Sequence, residues 1–474
     1  MDNSPIIVWI RRELRLADQP ALAAAAATGA PVLPVFVLDE AAPWPLGAAS
    51  RWWLRHSLAR LSEAIAAIGG RLLLLRGDPV LSITALAAET GATQALWTRR
   101  SEPAERRREL DLAEGLAAIG IVGRGTEPDL LFPPERLRNG GGHAYQVFGP
   151  FWRAAQALPP PPPPLPAPTR LPAPARMPDG LTLESLGLAP EPGRFPRLAE
   201  AWLPGEAGAE SRLATFLADG LDLYASRRDQ PGVDGTSRLS PHLAFGEISP
   251  RRLWHAVAAR TEAGGQDAFL RQLGWREFSQ ALLAAHPDLP ERPLRGEFAA
   301  FPWAPRPEHL AAWRSGRTGF PIVDAGMRQL AALGWMHNRV RMIVGSFLVK
   351  DLLAPWTRGE EWFWDNLVDA DLAANAASWQ WIAGCGADAA PYFRVFNPVL
   401  QGEKFDPRGR YVRQWVPELS GLPDLFIHRP WDAPPLTLAE ARISLGRDYP
   451  APIVDHGDAR RRALAAYHQV RRAV

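Results

Sequence analysis

A single cysteine, Cys385, stands in a chain of 474 residues. That excludes an intramolecular disulfide framework and any multi-cysteine metal site. No apolar run reaches the roughly 20 residues needed to span a bilayer, and no basic segment followed by an apolar one opens the chain as a secretory signal would. A soluble, cytoplasmic, monomeric protein with no membrane and no metal is the expectation. Net charge is only +2, so no global field draws the chain to nucleic acid, and any DNA site must come from a local basic patch. The dinucleotide fingerprint G-x-G-x-x-G is also missing after the first apolar run.

Tryptophan and proline are plentiful. Of 19 Trp, eleven lie from Trp275 onward, and each buried indole needs a partner for its N–H. Packing alone does not explain why they crowd one half of the chain. The length calls for two domains. Over the first 125 residues short apolar runs (6–10, 31–38, 71–75, 94–98 and 119–122) alternate with amphipathic segments (21–27, 51–68, 80–88 and 105–118). That alternation predicts a parallel sheet with helices on both faces, a Rossmann-like doubly wound α/β domain, which binds ligands at the carboxyl ends of its strands. The triplet Arg76-Gly77-Asp78 reads as a strand-to-loop exit.

Residues 159–174 are mostly proline, with six in a row at 159–164. They predict an extended linker. Beyond about residue 206 helical spacing dominates, so the second domain is expected to be all-α. The expected division is 1–128 for the α/β domain, 129–205 for the Pro-rich connection and 206–474 for the helical domain.

Three segments of the helical half carry candidate chemistry. Within 337–352, Asn338, Met342, Gly345 and Val349 share one helical face, with Arg341 at its edge; a lined pocket and a satisfied core Asn are equally consistent with this pattern. GTSRLSP at 235–241 offers three hydroxyls and several amides before a helical stretch, as a phosphate site would, although a simple cap at Ser240 with Pro241 in the first turn explains it more economically. In DADLAANAASWQW at 369–381, Asp371, Asn375 and Trp379 align at i, i+4 and i+8 if the segment is helical. Small alanines around them let a flat polar ring approach closely, and this reading is preferred over a solvated stripe. WREF at 275–278 places an aromatic beside a guanidinium, as in sites that hold unstacked bases; taken alone, a core Trp beside a surface ion pair is the preferred reading.

Six motifs in order, GTSRLSP, WREF, GFPIVDAGM (319–327), WMHNR (335–339), DADLAANAASWQW and PYFRVFNP (391–398), resemble the cryptochrome/photolyase family, as does VWIRRELR at 8–15. They look most like its class I cyclobutane pyrimidine dimer photolyases, and the resemblance covers nearly the whole chain. It implies a U-shaped FAD in the helical domain. Tyr224, Arg228, Thr236, Ser237, Leu239 and Ser240 would grip its phosphates and ribose, with Arg238 in the same loop. Phe269, Gln272, Arg276, Asn338, Arg339, Asp369 and Asp371 would line the remainder, with Asn375 near flavin N5.

The implied reaction is light-driven repair of UV-damaged DNA. One electron passes from excited reduced flavin to the dimer, the cyclobutane ring opens, and the electron returns. Nothing is oxidised overall, so no acid/base pair is required. The lesion is flipped out of the duplex and would sit between Trp275 and Trp381, with Gln272, Asn338 and Met342 nearby. Trp379, Trp356 and Trp303 match the family's electron relay, with Trp313 as an alternative outer station; Trp335, Trp362 and Trp364 also read as ordinary core.

Two departures stand out. Where class I members usually have Glu, this chain has Gln272, an amide also found in photolyases acting on the (6-4) lesion. Those carry a His where this chain has Asn338, so the dimer is the expected substrate. The α/β domain of this family often holds a second chromophore, methenyltetrahydrofolate or 8-hydroxy-deazaflavin; Trp44, Arg51, Trp52 and Glu105 are candidate lining for it or, equally, ordinary core and surface. Ala104 replaces the Asn of the folate pattern. A cryptochrome-type blue-light sensor is the alternative function, opposed by the little sequence that follows the family-like segment 449–456.

Overall fold

The computed structural model of the protein describes residues 4–389 and 393–472. Pro391 and Tyr392, which open the PYFRVFNP motif, lie outside the described residues.

Strand β1 (Ile6–Ile10) is central, between β2 (Val32–Leu38) and β4 (Gln94–Thr98); β3 (Leu73–Arg76) and β5 (Val122–Thr126) form the edges. All pairings are parallel, in the order β3-β2-β1-β4-β5, with Ile6 opposite both Val32 and Gln94. Side chains alternate faces along β1. Ile6, Val8 and Ile10 join one core with α1 (Pro20–Ala26) and α2 (Ala48–Ala67). Ile7 and Trp9 join another with α3 (Pro79–Thr90) and α4 (Pro103–Ala118). This is the expected doubly wound α/β domain.

The triplet Arg76-Gly77-Asp78 does leave a strand, and its Asp78 carboxylate caps α3 by accepting from Val80 and Leu81 N–H. One expected strand is displaced. The apolar pattern predicts the last strand at 119–122, but α4 runs to Ala118 and the chain turns at Gly120 before pairing from Val122. The strand is an exposed edge with two glycines, so it carries little apolar signal.

Between residues 129 and 205 the chain is not uniformly extended. Helix α5 (Phe148–Gln156) packs Phe148, Phe151 and Trp152 into a core shared with the helical half. The proline-rich stretch that follows has neither helix nor strand and is fastened to the α/β layer. Leu171 N donates to Ile68 O (2.8 Å), Val32 N to Pro172 O (2.8 Å) and Leu181 N to Leu74 O (2.8 Å).

Helices prevail beyond it, among them α6 (Gln266–Ala285), α7 (Pro321–Leu333), α8 (Asn338–Ser346), α9 (Trp356–Asn366), α10 (Leu372–Ala383) and α11 (His456–Arg472). An isolated bridge between Leu445 and Tyr449 is the one strand-type pairing among the described residues there. No helix is long and apolar enough to cross a membrane.

The two halves meet over buried polar groups. Arg15, 1 % exposed, donates to both Asp129 carboxylate oxygens (2.9 and 3.0 Å), to Gly246 O (2.8 Å) and to Asp18 O (2.6 Å). Burial opposes the Asp129 charge, yet Arg15 wins and holds the carboxyl below its usual value. That stabilisation is complete above the unfolded carboxylate pKa and fades as pH falls through the lower folded one. Asp129→Ala is therefore expected to lose about 3 kcal/mol at neutral pH by stranding a buried guanidinium. The gap from the parent should narrow on acidification, as read by denaturant melts at neutral and acid pH.

Candidate active site

A cavity of about 740 Å³ opens in the helical domain, walled by α6, α8, α10 and the segment around Ser237. Helix α8 places Asn338, Met342 and Gly345 on the cavity wall. Val349, expected on the same face, is instead fully buried in the core. The chain widens into a π-helical turn over Phe347–Asp351, and the changed pitch carries Val349 off that face.

Helix α10 brings Asn375 and Trp379 to the cavity. Asp371 lines it too, but as the extended N-cap of α10 rather than as a helical residue; its carboxylate accepts from Ala374 N (2.8 Å) and from Gln280 Nε2 (3.1 and 3.3 Å). Asn375 Nδ2 donates to Glu360 O (3.1 Å).

On α6, Phe269, Gln272, Trp275 and Arg276 all line the cavity. Gln272 Oε1 accepts from Arg228 Nη2 (3.1 Å). The ion pair beside Trp275 is not at the surface, as the simple reading of WREF had it. Glu277 is 1 % exposed and accepts from Arg276 (2.7 Å), Leu131 N (2.7 Å) and Phe132 N (3.0 Å). Leu131 and Phe132 lie nearly 150 residues away in sequence, so no local pattern could announce them.

Tyr224, Arg228, Ser237, Leu239 and Ser240 line one end of the cavity, and Arg339, Asp369 and Trp381 also reach it. Arg339 pairs with Asp229 (2.9 Å) and lies 4.3 Å over Phe405, while its Nε is buried without a hydrogen-bond partner. Both Asp369 carboxylate oxygens accept from Arg341 Nη2 (2.8 and 3.0 Å).

Two expected ligands fall elsewhere. Thr236 is not on the cavity wall, and its carbonyl accepts from Arg212 (3.3 Å). Arg238, in the left-handed region at φ 51°, faces a separate cavity beside Asp234 and Trp415. Ser240 does not cap: the short helix Ser240–Ala244 begins on it, Leu239 is its cap, and the Ser240 hydroxyl accepts from Trp335 Nε1 (3.3 Å).

Of the relay candidates, Trp379 is on the wall, Trp356 is buried outside it and Trp303 is partly exposed. Trp313 cannot be an outer station, because it is fully buried with its indole donating to Val344 O (3.2 Å). Sequence reasoning missed Glu360. Its carboxyl is buried with neither oxygen bonded, and burial pushes it up to about 9, so it is neutral at physiological pH.

A second cavity, about 190 Å³, lies at the carboxyl ends of β1 and β2 and is closed by Trp364 from the helical domain. Trp44 and Glu105 line it, and Glu105 pairs with Arg11 (3.0 Å). Arg51 and Trp52 do not. Arg51 is drawn to Glu40 and Gly187 O, and Trp52 packs on Trp53 and His56. Among the described residues no acidic, His and Cys groups cluster as a metal site.

A parallel α/β domain joined to a helical domain with a cavity of cofactor size defines a two-domain cofactor-binding protein. The family model for DNA photolyase matches residues 6–169, and that for the FAD binding domain of DNA photolyase matches 269–469. The chain belongs to the photolyase/cryptochrome family and carries its FAD-binding domain. It is 47% identical to the deoxyribodipyrimidine photo-lyase of Agrobacterium fabrum, over 100% of this chain and 99% of that protein. It is 40% identical to cryptochrome-1 of Arabidopsis thaliana, over 98% of this chain and 70% of that protein. It superposes on the crystal structure of a bacterial class III photolyase from Agrobacterium tumefaciens with a TM-score of 0.97 and 47% identity, covering 100% of this chain and 98% of the other. The expected class I assignment is not supported, since a structure matched over the full length of the chain is that of a class III enzyme.

Because the folded Glu360 value lies far above the unfolded one, near 4.5, the folded state holds a proton that the unfolded state releases. Stability on this residue's account therefore falls as pH rises from about 4.5 to about 9. Glu360→Gln should flatten that decline, as measured by thermal melts across the neutral and alkaline range.

Proposed function

We propose that the chain is a light-driven DNA repair enzyme that reverses pyrimidine dimers with FAD held in the large helical cavity. The observation that carries this reading is the convergence on one cavity of two tryptophan faces, Trp275 and Trp381, with a polar floor of Asp371 and Asn375. The volume of about 740 Å³ suits a large cofactor with room for a base, within the roughly 300–1,000 Å³ of cofactor sites. The donor set suits FAD as well. Arg228, Ser237, Ser240 and the unpartnered Nε of Arg339 suit phosphates at one end, and a carboxylate and an amide suit the hydrogen-bonding edge of a flavin ring at the other. Thr236 and Arg238 are not needed for this assignment.

FAD held there by these residues would supply, in its reduced and photoexcited state, the one-electron chemistry that dimer splitting needs. The protein's share is positioning. Trp275 and Trp381 offer flat apolar walls to flipped pyrimidines, as stacking platforms do. Gln272 offers an amide donor to a pyrimidine carbonyl, with its oxygen occupied by Arg228. Asn338 and Met342 complete the rim. Trp379, Trp356 and Trp303 are assigned the relay to the surface, supported by their graded burial; indoles are readily oxidised and suit that task. The cavity at the strand ends is assigned to an antenna chromophore, a folate or a deazaflavin, beside the edge-to-face pair Trp44 and Trp364. The boundaries 1–128, 129–205 and 206–474 are retained as the functional division, with α5 belonging structurally to the last part.

The deciding experiment is a light-dependent repair assay on two defined lesions with photoreduced enzyme. Splitting of the cyclobutane dimer is expected, and activity confined to the (6-4) product, or none in a flavin-loaded preparation, overturns the reading. Trp379→Phe should slow flavin photoreduction under blue light while leaving repair by chemically pre-reduced enzyme nearly unchanged, measured by visible absorbance and by dimer loss.

A further inference from the structure

The two tryptophan walls do not stand alone. The face of Trp275 turned from the cavity is covered by Phe148, with ring centroids 3.8 Å apart and planes 6° from parallel. Phe148 is 1 % exposed and comes from α5, in the stretch expected to be linker. One turn along, Trp152 presses on Gly274 so closely that a Cβ there would sit 2.4 Å from the indole. Only glycine at 274 lets α5 dock at this depth beside Trp275. Arg271 caps the outer side of Phe148, its guanidinium 4.9 Å from the ring centroid.

The opposite wall is tied to the same helix by one residue. Asp388 uses three groups at once. Its N–H donates to Gln146 O (2.9 Å), its Oδ1 accepts from Phe148 N (3.3 Å), and its carbonyl accepts the Trp381 indole N–H (3.1 Å). It does so in the left-handed region, φ 51°, which L residues seldom adopt. Strain of that kind persists where surrounding bonds over-determine the backbone. Asp388 itself lines the cavity.

We propose that Asp388 is a positioning residue that fixes the aperture between Trp275 and Trp381, acting through the start of α5, and so selects a rigid fused pair of pyrimidines over a single flipped base. The inference rests on the assignment of those tryptophans as the lesion walls. A stack stiffened from behind by Phe148 cannot rotate to follow a smaller guest. An indole pinned by its N–H cannot close down on one either. Discrimination then comes from spacing rather than from hydrogen bonds to the bases.

The test compares binding of a dimer-containing and an undamaged oligonucleotide by the flavin-loaded protein. Asp388→Ala is expected to weaken dimer binding about tenfold, the order of one lost stacking contact, with flavin content, photoreduction rate and affinity for undamaged DNA unchanged. Asp388→Asn keeps the acceptor oxygen and should restore most of the loss. Phe148→Leu, which loosens Trp275 from the other side, should weaken dimer binding similarly and guards against misfolding of the first variant. If Asp388→Ala and Phe148→Leu bind the dimer as the parent does while Trp381→Ala loses it, the brace is wrong and the walls stand. If Asp388→Asn is as weak as Asp388→Ala, the clasp through Oδ1 is wrong. If Trp275→Ala and Trp381→Ala also bind normally, the lesion-wall assignment itself falls.

Discussion

The arrangement hangs on a guanidinium that has left water. Arg15, at the end of the segment leaving β1, is held by Asp129, Asp18 and Gly246, three points that are far apart along the chain. A buried charge is costly unless every donor is used, so these partners cannot drift without stranding it. The network extends to the cavity. Arg276 reaches Asp129 O (3.4 Å) and Glu277 (2.7 Å), and Glu277 takes Leu131 and Phe132 N–H. Arg276 is thus both the last member of the seam and a residue of the cavity wall. Movement between the halves would be felt first at α6, where Trp275 and Gln272 sit.

How much of this was legible in the sequence follows from whether the signal was local. Strands β1 and β4 were readable because they are buried runs bounded by turns, and their ends agree with the structure. Strand β5 was not, since an exposed edge of Val-Gly-Arg-Gly-Thr has no apolar run. Asn338, Asn375 and Trp379 were legible as polar or aromatic residues at helical spacing. Val349 broke the pattern because a π turn is invisible to a 3.6-residue count. Glu277, Phe148 and Asp388 were beyond reach for another reason. Their roles come from partners at long sequence separation, and a one-dimensional pattern records only the near ones.

Tryptophan abundance also resolves into distinct kinds. Trp53 and Trp202 are structural, their N–H groups spent on Glu247 and Leu333 O. Trp313 belongs with them. Trp275 and Trp381 are only partly buried and share the cavity. Trp379 is buried but on the wall, T-stacked on Phe363 at 4.9 Å. Composition alone signalled that indoles crowd the helical half; only geometry separates those that fill space from those that face it.

Gln272 is best understood through its partner. Its oxygen accepts from Arg228, whose nearest carboxylate, Asp229, is 3.9 Å away. A carboxylate at position 272 would pair with Arg228 and cancel its charge at close range. The amide does not, so Arg228 would keep more of its field for the phosphates proposed at that end of the cavity. If Gln272 contacts the lesion as proposed, the cost would be borne at the substrate. An amide donor binds a pyrimidine carbonyl without charge assistance, and such neutral bonds are roughly half as strong. A site that gives up hydrogen-bond strength to the lesion must gain discrimination elsewhere, and the rigid spacing of two indoles can supply it. On the proposed lesion-wall assignment, the Gln at 272 and the stiffened walls would be two sides of one arrangement, in which shape recognition does what a charged hydrogen bond would otherwise do.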